Sequence, residues 1–100
     1  MPISVRLIRE DGETIVSATD KRGLIPRALN RMKNLRLLRY VDLYGNTYFN
    51  KFQMADLLAD WRAIELLIEG ADDAVFWREV QRLAEECQNE THTYVRFAGD

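Results

Sequence analysis

Apolar Ile3, Val5 and Leu7 alternate with polar Ser4 and Arg6, and after Asp11-Gly12 the pattern resumes with Ile15, Val16 and Ala18. A period of two residues is typical of β-strands, and an Asp-Gly pair between two such segments is typical of a hairpin with a type I′ turn. We therefore predict two antiparallel strands that share one apolar face. The predicted cross-strand pairs are Leu7 with Val16, Val5 with Ala18 and, on the opposite face, Ile8 with Ile15.

The next segment changes to a helical period. Ile25, Leu29 and Met32 recur at intervals of four and three residues, which places them on one face of a helix. Proline is tolerated in the first turn of a helix, because the donor that it lacks has no partner there. We predict a short helix over residues 26–33. A strand over residues 35–41 follows, and because it is apolar on both faces we expect it to be central in the sheet.

The centre of the chain carries its densest local signals. Asp42 and Gly45 stand at the first and fourth positions of a predicted type I turn, and the alternative is a two-residue type II′ loop that includes Asn46. Asn50 has a side-chain acceptor suited to capping a helix, and Gln53 stands three residues later, where it completes a capping box. The predicted order is strand, turn, short strand and capped helix.

Two longer helices are predicted in the second half. The first runs from the Asn50 cap to about residue 69, and it has a second, narrower apolar stripe that includes Phe52 and Leu66. A helix with two apolar faces needs cover on both, so we expect this stripe to pack on the following helix. That helix begins after Asp72-Asp73, which suit the N-terminal end of a helix dipole. A last strand is predicted over residues 91–97.

These elements predict an α+β fold in a single domain that spans residues 1–100. Their order is β-β-α-β-β-α-α-β, with an antiparallel sheet packed against a C-terminal helical hairpin. One hundred residues, 47% of them apolar and 30% charged, suit one globular core. No low-complexity tract or Pro-rich linker interrupts the chain, so composition places no domain boundary within it.

Charge is unevenly distributed along the chain, although the net charge is only −2. Residues 1–51 hold ten basic and five acidic residues, whereas the remainder holds four basic and eleven acidic ones. The basic segment 21–39 yields a nucleic-acid hypothesis that uses Arg27, Arg31 and Lys33. We favour the alternative that these side chains are solvated or neutralised by acidic helices of the same molecule, which makes a nucleic-acid partner the lesser hypothesis.

The sequence lacks the patterns of common active sites. With one His and one Cys it offers no set of side chains at metal-ligand spacing, and we predict neither a metal nor another cofactor. Glycine-rich phosphate loops and nucleophile motifs are also absent. We assign no catalytic residue. The enzymatic alternative is a small-molecule site on the 42–50 hairpin and the final strand, with Asp42, Tyr44, Asn46 and His92 as candidates.

The first residues, MPISVRLIRE, have no apolar core of the kind that signal peptides carry, and no segment is long and uncharged enough for a membrane span. Cys87 is the single cysteine and lies on an apolar helical stripe, where we expect a buried thiol. We therefore expect a cytoplasmic protein without a membrane partner.

Apolar and aromatic residues exceed what one small sheet and two helices are expected to cover. Together with the lack of catalytic motifs, this favours a small cofactor-free module that binds or regulates another protein, of the adaptor or immunity type. Self-association is the other way to cover such a surface. Tyr and Arg are frequent interface anchors. The candidate partner-binding residues are Tyr44, Asn46, Tyr48, His92, Tyr94 and Arg96.

Two stretches of the chain look like parts of one pattern. The central DLYGNTYFNKFQM resembles D-P-Y-G-D-T-x-F-N-x-x-Q, and the end HTYVRFAGD resembles H-x-Y-x-x-F-x-G-D. We associate this pattern with short bacterial proteins of unknown function, so the resemblance implies a bacterial origin and no activity. Leu43 stands where the pattern has Pro, and Asn46 where it has Asp. Pro at the second position of a type I turn supports that turn for residues 42–45.

Overall fold

The computed structural model describes residues 2–99 of the chain. Its helices and strands are β1 (Ser4–Arg9), β2 (Thr14–Thr19), α1 (Leu24–Arg31), β3 (Asn46–Asn50), α2 (Met54–Ala63), α3 (Gly70–Asn89) and β4 (Thr93–Ala98). Short 3₁₀ turns cover Leu38–Tyr40, Lys51–Gln53 and Ile64–Leu67. The four strands form one antiparallel sheet in the order β2-β1-β4-β3. The predicted α+β class with an antiparallel sheet is confirmed.

β1 and β2 form the predicted hairpin, and two of its three predicted cross-strand pairs are confirmed. The third is wrong, because the ladder is irregular directly after Leu7 and leaves Ile15 as an extra residue in β2. The observed pairs are Leu7 with Val16, Val5 with Ala18 and Ile8 with Thr14.

The turn of this hairpin explains the irregularity. The Gly12 amide donates to the Arg9 carbonyl at 2.8 Å, and the Arg9 amide donates to the Glu13 carbonyl at 2.8 Å, so the loop has three residues. Gly12 has a φ of 93°, but Asp11 has no positive φ. A type I′ turn needs positive φ at both central residues, so the predicted turn is wrong and a type I turn with a left-handed glycine takes its place. One extra loop residue is balanced by one bulged residue, which keeps the rest of β2 in its predicted register.

Helix α1 begins two residues before its predicted start. The buried carboxylate of Asp20 accepts hydrogen bonds from the amides of Leu24 and Ile25 at 2.8 and 2.9 Å. These bonds satisfy donors that the first turn of a helix leaves without partners. Pro26 then lies within the first turn, where its missing donor is not needed.

The strand predicted over residues 35–41 is wrong, so the sheet has one strand fewer than predicted. This stretch is an irregular segment that contains the 3₁₀ turn Leu38–Tyr40. The buried carboxylate of Asp60, on α2, accepts hydrogen bonds from three consecutive backbone amides of the segment, and these bonds use donors that a central strand would need. The donors are the amides of Arg36, Leu37 and Leu38, at 2.9, 2.7 and 3.0 Å.

α2 and α3 form the predicted helical hairpin, but α2 ends at Ala63 before a 3₁₀ turn, not near residue 69, and α3 begins at Gly70, before Asp72-Asp73. The Trp61 indole donates to the Trp77 carbonyl at 2.8 Å, and the Trp77 indole donates to the Trp61 carbonyl at 2.7 Å. Phe76 packs edge-on against Trp61, with ring centroids 5.8 Å apart. This reciprocal pair of hydrogen bonds fixes the position of one helix along the other.

The second apolar stripe predicted on the first long helix is not covered by α3. Phe52 is 86% exposed and Leu66 is 77% exposed. α3 packs between the sheet and the other side of α2, where Trp61 is fully buried. The prediction that the narrow stripe would bury against α3 is therefore wrong, and both large side chains remain at the surface.

The helices lie on one side of the sheet. α3 contacts β1, β2 and β4, and the inward strand residues join one core cluster with all three helices. Because side chains alternate along a strand, the remaining ones project to the other side, which we call the open sheet face. Its outward residues are Ser4, Arg6 and Ile8 of β1, Thr14, Ser17 and Thr19 of β2, Asn46, Tyr48 and Asn50 of β3, and Tyr94, Arg96 and Ala98 of β4.

Candidate partner-binding face

Four of the six predicted partner-binding residues come together on the open sheet face. Asn46 and Tyr48 lie two residues apart on β3, Tyr94 and Arg96 lie two residues apart on β4, and Tyr48 is directly opposite Arg96. Tyr48 is 53% exposed, whereas Tyr94 and Arg96 are half-buried. Strand pairing thus gathers residues that are almost fifty positions apart in the sequence into one surface.

The other two candidates lie at opposite ends of the sheet. Tyr44 is 82% exposed in the turn before β3. His92 precedes β4 with a φ of 60°, and its Nδ1 lies 2.9 Å from a carboxylate oxygen of Glu10. Both residues therefore flank the open sheet face and do not belong to it.

The residues of the enzymatic alternative are not brought into one pocket. Asp42 Oδ1 accepts from the Tyr44 amide at 2.8 Å, and the Asp42 amide donates to Thr47 Oγ1 at 2.9 Å, so this carboxylate holds the turn. Asn46, which lies opposite Ala98, is at this same end of the β3 and β4 ladder. His92 lies beyond the opposite end of the β3 and β4 ladder. The geometry provides no shared site for these side chains.

Acidic helices of the second half neutralise part of the basic segment. The Arg27 guanidinium pairs with the buried carboxylate of Asp73, and its side chain is only 20% exposed. Arg36 forms an exposed ion pair with Asp56 at 3.1 Å. The other two candidates of the nucleic-acid hypothesis, Arg31 and Lys33, are exposed. Because Arg27 is occupied inside the molecule, the hypothesis loses one of its three residues.

Arg6 is a functional candidate that the sequence pattern did not identify. It lies directly opposite Arg96 in the ladder between β1 and β4. Within residues 2–99 neither guanidinium forms an ion pair, and Arg96 Nε is buried without a hydrogen-bond partner. Like charges directly opposite each other destabilise a sheet. The alternation of Arg6 with Val5 and Leu7 indicates its outward position, but nothing in the sequence shows that β4 lies beside β1.

The open sheet face has no Asp or Glu among its outward residues. Around the two arginines it presents tyrosine rings, asparagine amides and hydroxyl groups. The charged side chains among these outward residues are therefore the two arginines, although the protein carries a net charge of −2. Tyr and Arg are frequent anchors of protein interfaces, and Asn and Ser supply adaptable hydrogen bonds in antibody paratopes.

A groove, which we call the Phe52 groove, continues this face past the outward pair of Asn50 and Tyr94. It is lined by residues 50–52 and 91–94 and encloses about 340 Å³. Phe52 forms an exposed wall, and Lys51 Nζ lies 5.9 Å from the centroid of its ring.

The predicted capping box is confirmed and holds this wall in place. Asn50 Oδ1 accepts from the Phe52 amide at 3.0 Å, and the Asn50 amide donates to Gln53 Oε1 at 2.8 Å. The sequence predicts this cap, but its apolar spacing predicts that Phe52 is buried against the following helix. Its exposure follows from how α2 packs, which the spacing of apolar residues does not specify.

The two stretches that carry the resemblance meet in the structure. The Gly99 amide donates to the Gly45 carbonyl at 2.7 Å, and a Cβ atom on Gly99 would clash with the Leu43 carbonyl oxygen. Phe49 and Phe97 pack edge to face, with centroids 5.8 Å apart. The Gly and Phe positions of these two stretches are therefore used by the fold.

No group of His, Cys, Asp or Glu side chains suited to a metal ion occurs between residues 2 and 99. No helix in this part of the chain is long and apolar enough to cross a membrane. Comparison with protein-family models, curated proteins and solved structures found no match to this chain. The open sheet face is therefore the feature of this molecule from which a function can be inferred.

Proposed function

We propose that the protein is a cofactor-free binding module whose open sheet face docks an acidic surface of another protein. The observation that carries this proposal is the pair Arg6 and Arg96, which lie opposite each other without an ion-pair partner among the described residues. Tyr48 and Tyr94 flank the pair on the same face. A carboxylate bound between the two guanidinium groups would remove their mutual repulsion and would accept charge-assisted hydrogen bonds from both.

The surroundings of this pair favour a protein partner. Tyr48 and Tyr94 offer broad, rigid contact surfaces, and Asn46 and Asn50 add donors and acceptors at the edge strand. Recognition of a nucleic-acid backbone, in contrast, uses a series of cations that follow the phosphates. The open sheet face carries only two arginines, and the salt bridges of Arg27 and Arg36 turn those side chains toward the helices.

Self-association through the same face is disfavoured. A two-fold dimer places identical surface patches against each other. With Arg6 and Arg96 near the centre of the patch, such a dimer would gather four guanidinium groups and supply no carboxylate from the described outward residues. The partner that fits is therefore a different protein with an acidic contact surface.

Affinity capture with two matched charge reversals tests the proposal. Wild type, R6E/R96E and the control R62E/R78E would be incubated with a nuclease-treated lysate of the source organism. Arg62 and Arg78 are exposed on α2 and α3, so the control has the same net charge but an unchanged open sheet face. We expect wild type and control to retain the same protein in stoichiometric amounts. R6E/R96E should retain at least about tenfold less of it, because loss of a desolvated charge pair weakens binding by at least that factor.

Two results would refute this function. One is equal recovery of the partner by R6E/R96E and by wild type, which would place binding elsewhere. The other is recovery of nucleic acid and no protein when nuclease is omitted, which would assign the face to a different class of partner. Circular dichroism of all three proteins establishes that each variant is folded.

A further inference from the structure

We propose that the Phe52 groove binds an aromatic side chain of the partner that has a carboxylate next to it. That the occupant belongs to a protein rests on the proposed function, whereas the preference for a ring and a carboxylate follows from the residues of the groove itself. The groove opens onto the open sheet face through Asn50 and Tyr94. A partner seated over the two arginines can therefore reach it without a gap in the contact surface.

Phe52 provides the surface against which an aromatic ring would pack. Phe52 is 86% exposed, yet its backbone amide donates to Asn50 Oδ1 within the capping box. Because the backbone is already ordered, binding at Phe52 restricts only the two side-chain torsions of the ring, which is a small cost for a large contact surface. Tyr94 supplies a second ring to the lining, and two aromatic rings favour offset or edge contacts with a third.

The volume of the groove limits the size of its occupant. About 340 Å³ is near the lower end of the roughly 300 to 1,000 Å³ that is typical of small-molecule pockets. This space suits one large side chain and excludes a folded element. The partner therefore inserts a single residue here and makes its broader contact on the open sheet face.

Lys51 provides the positive charge that would bind the carboxylate of the occupant. Its Nζ lies 5.9 Å from the Phe52 centroid, and no Asp or Glu occurs among the lining residues 50–52 and 91–94. His92, also in the lining, already faces Glu10 at 2.9 Å. Lys51 is therefore the cation available to a carboxylate that stands beside a ring packed on Phe52.

Titration of ¹⁵N-labelled protein with small probes tests the site without the partner. The probes are phenylacetate, which has a ring and a carboxylate, acetate, which lacks the ring, phenethylamine, which reverses the charge, and adenosine monophosphate. We expect phenylacetate to shift the amides of residues 50–52 and 91–94 saturably, with a roughly millimolar dissociation constant for its size. Acetate and phenethylamine should each bind at least about tenfold more weakly, since each lacks one of the two contacts.

Matched variants assign the effect to the groove. Phe52→Ala and Lys51→Glu should weaken phenylacetate binding at least about fivefold, as expected for removal of a ring contact or reversal of a charge. Leu66→Ala removes a similarly exposed apolar side chain, and Lys21→Glu reverses an exposed charge elsewhere. Both controls should bind phenylacetate as wild type does.

Three outcomes would overturn the inference. They are an absence of saturable shifts in the groove, binding of phenethylamine as tight as that of phenylacetate, and preferential binding of adenosine monophosphate, which would point to a nucleobase. Failure of the proposed function would give a different set of results. In that case phenylacetate binds the groove normally, but R6E/R96E captures the partner as wild type does.

Discussion

At the scale of single residues, the carboxylate of Asp42 shapes the turn that leads into β3. One oxygen accepts from the Tyr44 amide at 2.8 Å, and a Cβ atom on Gly45 would lie 2.7 Å from the other. Gly45 has no positive φ, so the left-handed glycine that often follows such a turn is not its role. A side chain at position 45 would instead require the Asp42 carboxylate to move.

A double-mutant cycle checks this explanation. Gly45→Ala should lower the free energy of unfolding by about 1 kcal/mol, because Asp42 must move and lose its hydrogen bond to the Tyr44 amide. Asp42→Ala should have a similar effect. In the Asp42→Ala background, Gly45→Ala should cost almost nothing, since the clashing atoms are gone. Strictly additive effects in urea unfolding would show that Gly45 serves another purpose.

The Asp20 carboxyl predicts a dependence of stability on pH. Burial raises the pKa of Asp20 above the ordinary 3.8, and nearby Asp73 adds to the shift, although the amides of Ile25 and Leu24 oppose it. A carboxyl whose pKa is raised on folding contributes stability that is fully present below its unfolded pKa. This contribution is lost as the pH rises through the folded pKa.

Comparison with Asp20→Asn isolates this contribution, because the amide does not titrate. We expect the unfolding free energy of wild type, relative to that of Asp20→Asn, to increase as the pH falls from 7 toward 4. Chemical denaturation at a series of pH values measures the difference. A constant difference would mean that folding does not shift the pKa of Asp20, and a decrease would mean that the folded protein favours the charged carboxylate; either result contradicts the prediction.

At the scale of elements, Asp60 determines the course of residues 35–41. Its carboxylate is 4% exposed and accepts from three backbone amides of that segment. One side chain thereby replaces the ladder that a strand would have formed. Asp56, one turn earlier on α2, is exposed and, among residues 2–99, forms an ion pair with Arg36 alone.

Asp60→Asn should therefore lower the free energy of unfolding by about 2 to 3 kcal/mol, because its NH₂ group cannot accept from buried amides. Asp56→Asn is the matched control and should change stability by less than about 0.5 kcal/mol, as expected for an exposed ion pair. Hydrogen exchange at Leu37 and Leu38 should accelerate only in the first variant. Equal effects of the two substitutions would contradict the organising role of Asp60.

Elements specified by neighbouring residues were predictable from the sequence. The β1–β2 hairpin follows from alternation, the capping box of Asn50 and Gln53 from a spacing of three, and the outward positions of Tyr48 and Arg96 from a period of two. The false strand over residues 35–41 shows the limit. Its apolar pattern fits a strand, and only a carboxylate more than twenty positions away excludes one.

At the scale of the whole molecule, the sheet order β2-β1-β4-β3 creates the candidate site. It places the last strand beside the first and thereby sets Arg96 opposite Arg6. Such long-range pairing leaves no local trace, which is why the sequence indicated Tyr94 and Arg96 but not Arg6. The resemblance to short bacterial proteins stays a prediction, since the geometry of the chain does not test it.

The central claim is that Arg6 and Arg96 repel each other in the free protein and that an anionic partner removes this repulsion when it binds. Urea unfolding of wild type, R6Q, R96Q and R6Q/R96Q tests it directly at low and high salt. We predict an unfavourable coupling energy of about 0.2 to 1 kcal/mol between the two side chains, which decreases as salt screens the charges. A coupling of zero, or a favourable one, would contradict the account, because the two arginines would then not repel each other in the folded protein.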